Sequence, residues 1–88
     1  DYNNALELYT LAAKQGHPEA TMALVRLYSN GPIELNLPRA WALASIAEER
    51  AVESAKETKE AVAAKLDGAQ LKQAKELLGQ LRDPAKGQ

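Results

Sequence analysis

The sequence predicts an all-α chain of about five helices, folded back on one another as antiparallel pairs. Three observations carry this. About a fifth of the 88 residues are alanine, phenylalanine is absent, and β-branched residues are few, a composition dominated by helix formers. Apolar residues recur at helical spacing between stops built from Gly, Pro and Asn. Residues 1–13 also recur loosely about 35 positions later as residues 36–48. Ala5 pairs with Ala40, Leu8 with Leu43 and Ala12 with Ala47, while Thr10/Ser45 and Leu11/Ile46 are close substitutes. Self-similarity at this period marks a stacked helical array rather than an enzyme pocket.

The first helix is expected over residues 2–15. Asp1 is placed to cap it by accepting a backbone N–H of the first turn. Tyr2, Ala5, Leu8, Tyr9 and Ala12 fall on one face, and Leu6, Leu11 and Ala13 widen it. So broad an apolar surface suits a helix packed on more than one side. Gly16 ends it in the left-handed conformation that glycine adopts most readily. Pro18 opens the second helix, over residues 18–29, where a missing N–H does no harm. Ala20, Ala23, Leu24, Leu27 and Tyr28 form its inward stripe, and Asn30-Gly31-Pro32 is a stop. With only Gly16 and His17 between them, these two helices make an antiparallel hairpin.

Asn36 caps a third helix that tolerates Pro38 in its first turn. Its end has two readings. No Gly or Pro lies between Arg39 and Asp67, and Ala40, Ala44, Ala47, Ala51, Ala55, Thr58, Val62 and Leu66 make an unbroken helical stripe. One helix of nearly 30 residues would open the hairpin and invite domain swapping. Against it, Ser54-Ala55-Lys56-Glu57 reads as a capping box, and the repeat register puts Ala51 where Gly16 stands. A break within residues 51–54 is favoured. A fourth helix then covers residues 55–66. Asp67-Gly68-Ala69-Gln70 is a second capping box, with Leu66 and Leu71 set as a hydrophobic staple. The fifth helix, residues 68–82, turns Leu71, Ala74, Leu78 and Leu81 inward. Pro84 stops it, leaving residues 83–88 as a mobile tail.

These residues resemble a Sel-one-like repeat, a relative of the tetratricopeptide repeat built from two antiparallel helices. The resemblance is carried by Asn4-Ala5-Leu6-Glu7-Leu8-Tyr9, by Ala12-Ala13-Lys14-Gln15-Gly16-His17-Pro18-Glu19-Ala20, and by Leu24, Tyr28 and Gly31. It continues more weakly through residues 36–55. It implies a right-handed α-α superhelix, a tetratricopeptide-like solenoid. Residues 1–16 would be the second helix of a truncated repeat and residues 17–53 one complete repeat. Residues 54–82 would be a C-terminal capping pair, as at the end of a bacterial array. Two departures stand out: Ile33-Glu34-Leu35 replaces the family's usual second loop glycine, and Val25 replaces a small residue.

Composition excludes several function classes. The net charge is −1 with acids and bases interspersed, so there is no basic stripe for nucleic acid. Cysteine is absent, which removes disulfides, thiol nucleophiles and thiolate metal sites. No apolar run approaches the ~20 residues of a membrane span, and no signal peptide is visible. The chain opens on a helix cap rather than Met and reads as a piece of a longer protein. Compartment stays open; the resemblance is compatible with export to the periplasm.

No catalytic, cofactor or metal site emerges. His17 is the one histidine and stands beside a turn, a capping or surface position without clustered ligand partners. Glu48-Glu49 reads as solubilising charge. Tyr2, Tyr9 and Tyr28 read as core, and Trp41 either wedges against helix four or five or joins an exposed contact. Met22, Val25, Arg26 and Ser29 lie opposite the inferred inward stripe of helix two, and two apolar residues beside an arginine suit a peptide contact. The resemblance implies that this helix lines the concave surface.

These readings make the chain a non-catalytic scaffold or adaptor module for a protein or peptide partner, with Met22, Val25, Arg26, Ser29 and Trp41 as the candidate contact residues. The alternative is a structural cap or oligomerisation element, self-associating through the open first helix. A β-lactam-type hydrolase, suggested by cysteine-rich relatives, is remote for a chain without cysteine.

Overall fold

The computed structural model describes residues 2–31 and 35–82, and within them it is all-helical. Five helices follow in order: α1 (Tyr2–Lys14), α2 (Pro18–Asn30), α3 (Leu37–Glu49), α4 (Ala55–Ala63) and α5 (Gly68–Arg82). The expected Asp1 cap, the Tyr2 side chain, the Pro32 stop with the Ile33-Glu34 departure, and the tail at 83–88 lie outside the described residues.

Local chemistry sets the boundaries. At the end of α1, His17 N–H donates to Ala12 O at 3.1 Å and Gly16 N–H to Ala13 O at 3.0 Å. This is a Schellman turn, with Gly16 at φ +92°. At the end of α2, Gly31 N–H donates to Leu27 O at 3.1 Å. A Cβ on Gly31 would fall 2.5 Å from that oxygen and 2.7 Å from the Leu27 Cα, so the close approach requires glycine. Asn36 caps α3 as expected, its Oδ1 accepting from Arg39 N–H at 3.2 Å.

The chain breaks after α3, at residues 50–54, and the two-helix reading holds. Val52 N–H donates to Ala47 O and Ala51 N–H to Glu48 O, each at 3.0 Å. Ala51 has φ +62°, the one positive φ on a non-glycine among the described residues. The two capping boxes differ in outcome. Asp67 and Gln70 form theirs reciprocally, Gln70 N–H to Asp67 Oδ1 at 2.7 Å and Asp67 N–H to Gln70 Oε1 at 3.1 Å. Ser54 makes no side-chain cap bond, because its backbone (φ −91°, ψ 0°) is already nearly helical rather than in the extended conformation that aims a capping oxygen at the first turn. Helix α4 also stops at Ala63, earlier than expected, as Lys65 and Leu66 N–H groups tighten onto Val62 and Ala63 carbonyls.

Helix α3 is the hub. It packs on α2, α4 and α5, whereas α1 packs chiefly on α2. Ala40, Ala42, Ala44 and Ala47 are fully buried around its circumference, and these small side chains let the neighbouring axes come close. Met22, Leu24 and Val25 from α2, Ala55 and Val62 from α4, and Ala74 and Leu78 from α5 complete the core. The radius of gyration, 12.0 Å, matches the ~12 Å of a compact chain of this length.

Two expected faces are corrected. On α1, Leu8 and Leu11 are 67% and 57% exposed and Tyr9 is 40% exposed; Ala5, Leu6, Thr10, Ala12 and Ala13 are the half-buried positions. A helix with one principal neighbour covers one side of a two-sided apolar surface. On α2 the error runs the other way. Clasped between α1 and α3, it buries more than one stripe: Thr21, Met22, Val25 and Ser29 are buried beside Ala20 and Leu24. Thr21 and Ser29 tolerate burial because their hydroxyls donate to the carbonyls of His17 and Val25, at 3.3 and 2.7 Å.

Candidate functional site

Of the five residues expected to contact a partner, the fold leaves only Arg26 exposed. Met22 (5% exposed), Val25 (0%) and Ser29 (7%) belong to the interior, and Trp41 is 8% exposed. The indole packs under α4, with Lys59 Nζ 5.2 Å from the ring centroid. The same ammonium pairs with Glu48 at 3.0 Å, so this end of Trp41 is covered by a cation held from α3. Arg26 edges a shallow depression of about 330 Å³ with Tyr9, Ala23, Leu27, Asn30 and Gly31. The contact patch inferred from the sequence is therefore not a surface.

The structure assembles a different site. A cleft of about 420 Å³ opens where α1, α2, α3 and α5 meet. Leu24, Leu43, Ile46 and Leu81 supply its apolar lining. Thr10, Lys14, Thr21, Arg50 and Gln80 supply the polar groups. Thr10 spends its hydroxyl hydrogen on Leu6 O at 2.7 Å and Thr21 on His17 O, so both present methyl groups as well as oxygen. Lys14 comes from the last turn of α1 and Arg50 from the C-cap of α3, positions where the negative helix end favours a cation. Arg50 Nη1 reaches Ala13 O at 3.5 Å, a long contact that joins the two helix ends.

Among the described residues no acidic residue lines this cleft, and neither Lys14 nor Arg50 is ion-paired there. Beside it, Glu49 pairs with Arg82 and ties the end of α3 to the end of α5. An apolar floor under two available cations suits an aliphatic side chain next to an anionic group. Among the described residues there is no group of three or more His, Cys, Asp or Glu placed to hold a metal, and no helix is long and apolar enough to cross a membrane.

Sequence reasoning missed this cleft because its parts are scattered. Lys14 and Arg50 belong to different helix ends, 36 positions apart, and Gln80 and Leu81 lie about 30 residues further on. The signal available was the recurrence of a basic residue at the ends of both related helices. No protein-family model, curated protein or solved structure matches the chain.

Proposed function

We propose that the chain is a non-catalytic interaction module of Sel-one-like, tetratricopeptide-related type, which receives a segment of a protein partner in the cleft between α1, α2, α3 and α5. The observation that carries this reading is the cleft itself, an apolar floor rimmed by Lys14 and Arg50, neither of which has an ion-pair partner or a neighbouring lining carboxylate among the described residues. The repeat reading is supported by the two turns after α1 and α3. Each is a Schellman turn, at Gly16 and at Ala51. Thr10 and Ser45, equivalent in register, both bond back to the carbonyl four residues earlier, at 2.7 and 2.9 Å. In a longer array the superhelix would continue from α1.

The test is a selection from a random peptide display library, followed by affinity measurement on Lys14→Glu and Arg50→Glu variants. Enriched peptides rich in aliphatic and acidic residues, weakened about tenfold or more by either variant, support the module. Enrichment of nothing, or of peptides indifferent to both variants, overturns it.

A second reading, a structural or oligomerisation element, is favoured by the exposed Leu8 and Leu11 of α1. Association through that face would disappear in a Leu8→Glu, Leu11→Glu double variant. A chain that is monomeric from micromolar to millimolar concentration removes this reading.

A further inference from the structure

We propose that residues 50–54 are a hinge across which the chain exchanges α4 and α5 with a second copy of itself, α3 and α4 merging into one long helix. Three features converge on this segment. Ala51 holds φ +62°, a left-handed conformation disfavoured by its Cβ; at the equivalent turn after α1 the chain uses Gly16. Ser54, the N-cap of α4, makes no side-chain cap bond, so no capping bond of that side chain is lost when the helix continues through it. Between Arg39 and Asp67 the sequence contains no Gly or Pro, and Ala40, Ala44, Ala47, Ala51, Ala55, Thr58, Val62 and Leu66 keep helical phase across the break. The feature that opposes opening is Val52, which is half-buried and packed against the core as part of the turn.

The second copy fits because the surface it would cover is the one this chain already covers. Helices α4 and α5 both pack on α3, across the hinge. Among the described residues, the polar contacts that fasten them are Lys59 with Glu48 and Trp41, and Arg82 with Glu49. Each joins a residue before the hinge to one after it. In the exchanged dimer all of them re-form between chains, and Ala51 returns to ordinary helical geometry. The fused helix, residues 37–63, would be about 40 Å long at 1.5 Å per residue.

The experiment refolds an equal mixture of ¹⁴N- and ¹⁵N-labelled chain at millimolar concentration and isolates the dimer. A zero-length carbodiimide then couples Lys59 to Glu48. Expected is a Glu48–Lys59 cross-linked peptide in the dimer that carries one light and one heavy half in about half of the molecules. Ala51→Gly, which removes the strain and disfavours the fused helix, should lower the association constant about tenfold or more, because both hinges change. Leu8→Glu with Leu11→Glu should leave the exchanged dimer intact, which separates it from association through α1. Failure to form a dimer, or a dimer whose Glu48–Lys59 links are all isotopically pure, overturns the proposal.

Discussion

Gly16 and Ala51 occupy the same station in two Schellman turns, one at φ +92° and the other at φ +62°. Glycine holds that conformation without strain, whereas for an L residue it costs about 1–2 kcal/mol. Ala51→Gly should therefore stabilise the monomer by about 0.5 kcal/mol, the relief of strain being partly offset by ~0.5–1 kcal/mol of extra chain entropy. Gly16→Ala should destabilise by about 1 kcal/mol. No atom lies within 4 Å of a Cβ built on Gly16, so that loss would come from the backbone alone. Urea denaturation midpoints at low protein concentration measure both. Destabilisation by Ala51→Gly would show that the turn after α3 carries no strain.

That pair also shows how far the sequence could be read. The 35-residue register placed Ala51 at Gly16's position and so located the break that composition alone would have bridged. Helices, caps at Asn36 and Asp67, and the inward face of α5 were all legible, because each depends on neighbours within a few residues. The faces of α1 and α2 were not. Which side of α2 is buried depends on α1 and α3 clasping it, and a hydroxyl that bonds its own helix, like Ser29 or Thr21, looks polar in sequence and packs as apolar. The cleft was illegible for the same reason: Lys14, Arg50 and Leu81 meet only through tertiary packing.

The corrected α2 face gives the second prediction. Met22 is 5% exposed and Val25 0%, so truncation leaves a cavity. Met22→Ala should cost about 2–5 kcal/mol, with Val25→Ala somewhat below that because fewer atoms are removed. Arg26→Ala, on an exposed position, should stay within about 0.5 kcal/mol. If Met22→Ala left the denaturation midpoint unchanged, Met22 would belong to the surface after all.

The two sequence boxes before α4 and α5 should respond differently to the same substitution. Asp67 accepts from Gln70 N–H at 2.7 Å, and Asp67→Ala should lose about 1 kcal/mol, within the ~0.5–2 kcal/mol range of such caps. Ser54 has no side-chain cap bond, and Ser54→Ala should stay within about 0.5 kcal/mol. Equal losses at both positions would mean that Ser54 caps α4 in solution.

Lys59 fastens the short helix α4 in two ways at once, and the two can be separated. Its ammonium lies 5.2 Å from the Trp41 ring centroid and 3.0 Å from Glu48. Both side chains of the ion pair are about a third exposed, so the pair contributes roughly 0.2–1 kcal/mol and weakens with salt. The ring contact contributes about 0.5–1 kcal/mol. Glu48→Gln should remove the first alone and lose its effect in 1 M salt. Lys59→Met keeps an unbranched apolar side chain but removes both interactions, so it should cost about 1 kcal/mol, part of it persisting at high salt. Trp41 is the one tryptophan, so its emission reports directly on whether α4 still covers the ring. A red shift is expected in Lys59→Met as α4 loosens, and little change in Glu48→Gln. The opposite pattern would mean that the carboxylate, rather than the indole, holds α4 in place.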